Sequence, residues 1–98
     1  DIKQAILNSC YRVSNHAYEQ AIEDSLTIDQ VCDSVINGEL IEEYKNDFPL
    51  PSGLIYGESD QQIPVHSVWA YNEDKASAVL ITVYRPDPQK WINFKRRR

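Results

Sequence analysis

The chain has 98 residues, which is the size of one domain, because a two-domain chain usually needs about 150 residues or more. Hydrophobic residues make up 42% of it, and with three glycines and five prolines the composition excludes a disordered or fibrous chain. The longest apolar run has four residues, 78–81, against the roughly 20 of a transmembrane helix, so no membrane span is expected. We therefore predict one domain over residues 1–98.

The two cysteines indicate the redox compartment. Cys10 and Cys32 fall in predicted helices without a CxxC pair, which favours buried, reduced thiols over a disulfide or a zinc site. No charged stretch followed by an apolar segment opens the sequence, so a secretory signal is expected to be absent or already removed. Both observations predict a cytoplasmic protein.

The charge is unevenly distributed along the chain. Residues 1–84 carry four Lys or Arg against fourteen Asp or Glu, whereas residues 85–98 carry six basic residues and one Asp. Because an acidic body repels phosphate, a nucleic-acid site is expected near Arg85 or the basic run 95–98. The alternative for that run, which comprises Lys95, Arg96, Arg97 and Arg98, is a solvated tail or a helix C-terminus.

Three helices are predicted at the start of the chain. Apolar residues in 2–7 suggest a short first helix, and residues 11–13 an extended link. A second helix begins at Ser14 or Asn15 and should turn Ala17, Ala21 and Ile22 inward. The third begins with a capping box, Thr27 to Gln30, carries an apolar stripe through Ile36 and stops at Gly38.

From Glu39 onward the apolar period becomes two, which predicts four strands, 39–44, 53–58, 62–71 and 76–85, joined by short turns. Pro86 and Pro88 end the last strand, after which Trp91 and Phe94 are expected to anchor a helical turn. The predicted fold is α+β, with two to three N-terminal helices on one face of an antiparallel sheet of about four strands.

Strand parity predicts which side chains face the helices. In the third strand Val65 and Trp69 belong to the core face and His66 to the other, and in the fourth strand Val79, Ile81 and Val83 are assigned to the core. If residues 72–76 form a three-residue hairpin loop, His66 lies opposite Thr82 and diagonal to Tyr84.

Four residues are candidates for acid–base chemistry. His16 and His66 titrate near neutrality, so one could take a proton while the other gives one. Tyr84 and Arg85 could act as an acid and as a cation for an anionic transition state. The alternatives are a capping-turn residue for His16, a satisfied strand histidine for His66, a packing residue for Tyr84 and a surface charge for Arg85.

Other chemistries lack their motifs. The sequence has no GxxxxGK[ST], GxGxxG, HExxH or GxSxG, and its acidic residues lack metal-ligand spacing. No metal and no cofactor are therefore expected.

Four segments together resemble a known family. They are ITVYRPDPQKW at 81–91, followed by the basic run, YRVSNHA at 11–17, NGELIEEY at 37–44 and PVH at 64–66. With them the chain resembles the bacterial family called domain of unknown function 4258, over nearly its whole length. His16 and His66 fall at the recurrent histidines of that family, and Tyr84 and Arg85 in its terminal motif.

This resemblance implies a small toxin, similar to RelE and MqsR-type mRNA interferases and paired with a small zinc-finger antitoxin of the YgiT type. Such toxins cleave RNA without metal, by attack of the ribose 2′-oxygen on the neighbouring phosphate. The family is expected to carry basic residues four and eight positions after its helix histidine, whereas this chain has Gln20 and Asp24.

Two hypotheses follow. In the first, the protein is a metal-independent endoribonuclease toxin with His16 and His66 as proton-transfer groups, Tyr84 and Arg85 at the phosphate, and residues 95–98 on the RNA backbone. In the second, it is a non-catalytic module, or an inactive relative of such toxins, whose acidic body binds a basic protein, with the sheet edge open to strand addition. This hypothesis predicts that charge reversal of Glu42 and Glu43 abolishes partner binding and that replacement of both histidines has no effect.

Overall fold

The computed structural model describes residues 1–98 and has three helices and seven strands. In chain order the elements are α1 (Ile2–Leu7), β1 (Tyr11–Val13), α2 (Asn15–Glu23), α3 (Ile28–Ile36), β2 (Glu39–Tyr44), β3 (Ser52–Glu58), β4 (Pro64–Asn72), β5 (Ser77–Tyr84), β6 (Trp91–Ile92) and β7 (Arg96–Arg97). The longest helices have nine residues, and none is long and apolar enough to cross a membrane.

The main sheet has five strands in the order β1-β5-β4-β3-β2. Strands β2 to β5 form the predicted antiparallel meander, which confirms the α+β class. The predicted number of strands in this sheet was too low, because residues 11–13 form β1 and pair in parallel with residues 78–80 of β5. Three residues are too few to show a period of two, so the sequence indicated only an extended link.

The three helices cover one face of this sheet, which we call the inner face, and the core lies between them. Helices α1 and α2 pack mainly on β5, and α3 packs on β3 and β4. The buried core side chains are Ala5, Ile6, Ala17, Ala21, Leu26, Val31, Cys32, Val35, Ile55, Val65, Trp69, Ala78, Leu80 and Val83. The opposite face, which we call the outer face, is left for other contacts.

The predicted helix caps are present. The Ser14 side chain accepts a hydrogen bond from the Ala17 N–H, and Thr27 and Gln30 form the reciprocal capping box. Both caps satisfy backbone donors that the first helical turn leaves unpaired. The predicted starts of α2 and α3 are therefore confirmed.

Helix α2 runs beside β5 where β1 ends. The Gln20 side-chain oxygen accepts hydrogen bonds from the Thr82 hydroxyl and from the Val83 N–H, the latter at 3.1 Å. Ala17 and Ala21 face inward as predicted, but Ile22 is 76% exposed. The prediction for Ile22 was wrong because the small residues, not the larger isoleucine, form the face that approaches the sheet.

The parity of β5 changes at a β-bulge. Val68 pairs with Thr82 and Trp69 with Leu80, so Ile81 is the extra residue. An extra residue reverses the side-chain alternation, which places Leu80 and Val83 in the core and leaves Ile81 36% exposed. The assignment of Val79 and Ile81 to the core was therefore wrong.

The β4–β5 loop also differs from the prediction. Asn72 pairs with Ser77, which makes the loop four residues long instead of three. The longer loop and the bulge each shift the register by one residue. His66 consequently lies opposite Tyr84 instead of Thr82, still on the outer face.

The C-terminal segment is a β-hairpin, not the predicted helical turn. Strands β6 and β7 pair antiparallel, and the Lys95 N–H donates to the Ile92 carbonyl at 3.0 Å. The two residues between Ile92 and Lys95 are Asn93 and Phe94. Their φ angles are 53° and 62°, as in the tight turns that suit hairpins. We call residues 91–97 the C-terminal hairpin.

The cysteines match the prediction in part. Both thiols are free, and Cys32 is buried in α3. Cys10 is exposed, because it lies between α1 and β1 instead of on the inward side of a helix. Burial and a hydrogen bond to Cys32 raise the pKa of Tyr11 to about 12, the hydrogen bond being the larger effect.

Candidate active site

The outer face of the sheet carries the polar cluster of interest. Four strands contribute to it: β2 with Glu42 and Tyr44, β3 with Tyr56, β4 with His66 and β5 with Tyr84. The C-terminal hairpin covers this cluster with Trp91, which is 4% exposed, and with the backbone of Phe94. We call these seven residues the outer-face cluster.

His66 is the centre of the cluster and has no exposed surface. Its Nε2 lies 2.6 Å from the Phe94 carbonyl oxygen and its Nδ1 lies 3.2 Å from the Tyr84 hydroxyl oxygen. A carbonyl oxygen can only accept, so Nε2 carries the proton in the neutral ring. Nδ1 is then the acceptor for the Tyr84 hydroxyl.

Burial sets the protonation of the two partners. Removal from water lowers the pKa of His66 below its usual range, and the hydrogen bond to Phe94 opposes this shift without cancelling it. Burial also raises the pKa of Tyr84, so the phenol stays protonated. The pair is therefore neutral at physiological pH while the hairpin is in place.

Glu42 and Arg97 form a two-pronged ion pair at the edge of the cluster. Arg97 Nε donates to Glu42 Oε2 at 2.8 Å, and a second guanidinium nitrogen donates to Oε1 at 3.1 Å. The Tyr44 hydroxyl also donates to Oε1, at 2.5 Å. The hydrogen bond from Arg97 lowers the pKa of Glu42 more than any other contact, which keeps this carboxylate ionised.

Trp91 connects the histidine to the arginine. Its ring meets the His66 ring edge-on, with centroids 4.4 Å apart and planes at 86°, and the Arg97 guanidinium carbon lies 4.7 Å from the indole centroid. These are favourable aromatic and cation–π geometries. A continuous row of contacts thus crosses the outer face, from His66 through Trp91 and Arg97 to Glu42.

Two of the four predicted catalytic residues meet here. His66 and Tyr84 are hydrogen-bonded partners, whereas Arg85, the first residue after β5, turns to the end of α2. Arg85 Nε donates to the Asp24 carbonyl at 2.7 Å, and its backbone N–H donates to the Asp24 carboxylate at 2.8 Å. His16 lies exposed in the first turn of α2 and makes no side-chain hydrogen bond.

The predicted RNA-binding residues lie close to this cluster. Lys95 pairs with Glu39 at 2.8 Å, and Arg97 pairs with Glu42. Arg98 donates to the Pro88 carbonyl at 3.0 Å, and Arg96 is exposed with no ion pair. The basic run is thus not an extended tail, because the hairpin places Lys95 and Arg97 against carboxylates of the outer face.

An open cleft of about 410 Å³ adjoins the cluster. Tyr56 and Lys95 line it together with Asn37, Gly38, Glu39, Gly57 and Glu58. Tyr56 belongs both to this cleft and to the outer-face cluster. The cleft therefore offers space for an extended ligand at the edge of the cluster that Tyr56 forms.

Sequence reasoning missed Glu42 and Arg97 as a pair, and it missed the covering role of Trp91. Glu42 was considered only with Glu43, as a contact for a basic protein, and no local pattern connects it with a residue 55 positions away. The available signal was strand parity, because Glu42 and Tyr44 are two apart on β2 and share a face.

The fold and the cluster define a small α+β domain with a polar, aromatic outer face. The family model described as "Domain of unknown function (DUF4258)" matches residues 13–85, so the chain belongs to this family. The match confirms the family predicted from the sequence and ends before the C-terminal hairpin. No curated protein and no solved structure matches the chain.

Proposed function

We propose that the protein is a metal-independent endoribonuclease of the small-toxin type, with its active site on the outer face. One observation carries this proposal: the basic C-terminal residues fold onto the same face as the His66–Tyr84 pair and Glu42. A carboxylate, an imidazole and cations are the groups that cleavage of a ribose–phosphate link requires.

In the proposed reaction Glu42 is the general base and His66 the general acid. Glu42 removes the proton of the ribose 2′-hydroxyl, and the 2′-oxygen attacks the adjacent phosphorus. The bond from phosphorus to the 5′-oxygen breaks, and His66 as the doubly protonated imidazolium gives that oxygen the proton of Nε2 and becomes neutral. The products are a 2′,3′-cyclic phosphate and a 5′-hydroxyl end.

The remaining groups would position the imidazole and neutralise charge on the phosphate. Tyr84 orients the imidazole through Nδ1, and Arg97 and Lys95 offset the charge that grows on the phosphate. His16 and Arg85 are not needed in this scheme, since Arg85 is bonded to the end of α2.

The biological setting of the proposal is that of a toxin–antitoxin pair. The resemblance to RelE and MqsR-type toxins implies a cytoplasmic protein that a small zinc-finger antitoxin neutralises. Gln20 and Asp24 replace the basic residues expected on α2, but both are bonded to β5 or to the residue after it. Neither Gln20 nor Asp24 belongs to the outer-face cluster, which is consistent with a site that does not include α2.

The test is cleavage of a mixed-sequence RNA in the presence of a chelator. Glu42→Gln should lower the rate about 100-fold or more, as expected for loss of a general base, whereas Glu43→Gln should not change it. Glu43 is the matched control because it is the exposed neighbour on the same strand. Equal rates for the wild type and both variants, or products without cyclic phosphate ends, would contradict the proposal.

The enclosure of His66 favours a second candidate function, a non-catalytic module that binds a basic protein. Exposed Tyr18 and Ile22 lie one turn apart on α2, and each is followed by an acidic residue, Glu19 or Glu23, as in an acidic docking surface. Under this alternative, Ile22→Ala weakens partner binding, and no RNA cleavage exists for Glu42→Gln to reduce.

A further inference from the structure

The C-terminal hairpin blocks both groups that the proposed reaction needs. The Phe94 carbonyl takes the only proton-bearing nitrogen of His66, and Arg97 takes both carboxylate oxygens of Glu42. Trp91 closes the remaining side of the imidazole. With these contacts in place, a leaving oxygen cannot reach His66 Nε2, and a ribose hydroxyl must compete with Arg97 for the Glu42 carboxylate.

The contact with His66 is made by a strained residue. Phe94 has a φ of 62°, a region that glycine and asparagine adopt readily and bulky residues seldom do. Its neighbour Asn93, at 53°, suits such a turn, but Phe94 does not. The turn that presents the carbonyl to His66 is therefore less stable than its hydrogen bonds alone would indicate.

The other contacts of the hairpin can be exchanged for contacts with a polyanion. Lys95 and Glu39 are both 54% exposed in their side chains, and Arg97 is 63% exposed. Solvent screens such pairs, and a phosphate backbone offers the same charge-assisted hydrogen bonds to Lys95 and Arg97. Each strand of the hairpin has only two residues, so few backbone bonds hold its shape.

We propose that the C-terminal hairpin is a detachable cover, which a single-stranded nucleic-acid backbone releases by replacing Glu39 and Glu42 as partners of Lys95 and Arg97. Release exposes His66 Nε2 and frees the Glu42 carboxylate, while the same basic residues hold the nucleic acid. This inference rests on the proposed function for its purpose, but the movement of the cover can be measured without catalysis.

The two histidines of the chain provide the measurement. Diethyl pyrocarbonate modifies accessible imidazoles, and mass spectrometry of peptides separates His16, which is exposed, from His66, which is buried. We expect His66 in the wild-type protein to be modified more slowly than His16 but faster than the slowest core amides exchange with deuterium, because the cover opens without global unfolding. Modification of His66 only at the rate of global unfolding would overturn the proposal.

A pair of neighbouring arginines gives the matched variants. Arg97→Ala removes the ion pair with Glu42 and the cation–π contact, so the modification rate of His66 relative to His16 should rise about tenfold. Arg96→Ala, which removes an exposed charge from the same strand, should leave it unchanged. An equal response of the two variants would contradict the cover.

Oligothymidylate DNA tests the release step. It presents a phosphate backbone but lacks the 2′-hydroxyl, so it cannot be cleaved by the proposed reaction. At low salt it should increase His66 modification severalfold in the wild type, and the increase should disappear at high salt. If His66 stays protected while RNA is cleaved, the cover is disproved and the ribonuclease stands. If the cover opens but RNA stays intact, the ribonuclease is disproved and the cover stands.

Discussion

The side-chain oxygen of Gln20 on α2 lies 3.1 Å from the backbone nitrogen of Val83 on β5 and accepts its hydrogen bond. Strand β1 ends at Val13, and its last partner on β5 is Leu80, so residues beyond Leu80 have no strand on that side. Gln20 takes the place of the missing strand for one backbone donor. The helix is thereby fixed to the edge of the sheet.

Gln20→Ala should therefore destabilise the protein more than its surface position suggests. The change leaves the Val83 N–H and the Thr82 hydroxyl without their partner, which costs about 1–3 kcal/mol in the free energy of unfolding. Urea denaturation is the measurement. Glu19→Ala, on the exposed side of α2, should change the free energy by no more than about 0.5 kcal/mol.

His66→Ala tests the contribution of the outer-face cluster to stability. The change removes a fully buried ring and leaves the Phe94 carbonyl and the Tyr84 hydroxyl unpaired, so we expect a loss of about 2–4 kcal/mol. His16→Ala is the control and should be close to neutral in the same denaturation experiment. Similar midpoints for the two variants would mean that the cluster is not packed as described.

The free energy of unfolding should decrease as the pH is lowered below neutrality. The pKa of His66 is lowered by burial, so the folded state favours the neutral ring relative to the unfolded chain, where the pKa is about 6.5. The contribution of the neutral His66 ring to stability is complete above about pH 6.5 and is lost as the pH falls through the folded-state pKa. Glu42, whose pKa is also lowered, adds a second loss in more acidic solution.

Denaturation midpoints between pH 7.5 and pH 5 should show this slope in the wild type. His66→Gln should flatten it in the upper part of the range, and His16→Gln should leave it as it is. If the slope survives in His66→Gln and disappears in His16→Gln, the pH dependence comes from His16 and the prediction is wrong.

Gly57→Ala should be among the most damaging single changes. A Cβ at this position would lie 1.7 Å from the Ser34 carbonyl oxygen, because α3 passes directly over β3 there. Backbone atoms cannot move aside cheaply, so we expect about 3 kcal/mol of destabilisation. Gly53→Ala is the matched control on the same strand, since the close neighbour of its Cβ would be the flexible end of the Leu40 side chain, and the Glu42 carbonyl oxygen lies at an ordinary contact distance of 3.4 Å. Thermal unfolding should rank the two variants clearly.

The local features of the fold could be predicted from the sequence because each depends on neighbours along the chain. Thr27 and Gln30 are three residues apart, and the core face of β4 follows from alternation alone. The features that were missed depend on contacts between distant segments. The parallel pairing of β1, the bulge at Ile81 and the folding of the C-terminal residues into a hairpin all belong to this group.

The candidate site was predictable to the same extent. Parity placed His66 and Tyr84 on one face, and two one-residue register shifts made them direct partners. Arg85 was grouped with Tyr84 because both belong to the terminal motif of the family, although adjacent residues of the predicted strand 76–85 would point to opposite sides. Glu42 and Arg97 meet only because the chain turns back after Pro86 and Pro88, a path that no local pattern specifies.

In the pairing of β2 with β3, Leu40 lies opposite Ile55 and Glu42 opposite Leu54, so Ile41 is an extra residue. This irregularity has a consequence for association between molecules. Strand β2 is a free border of the sheet, and such borders tend to recruit strands of other chains into fibrillar assemblies. The irregularity at Ile41 interrupts the row of backbone groups on this border, and Glu39 and Glu43 would repel an identical strand. The protein thus carries its own protection against self-templated aggregation on the side where its sheet is open.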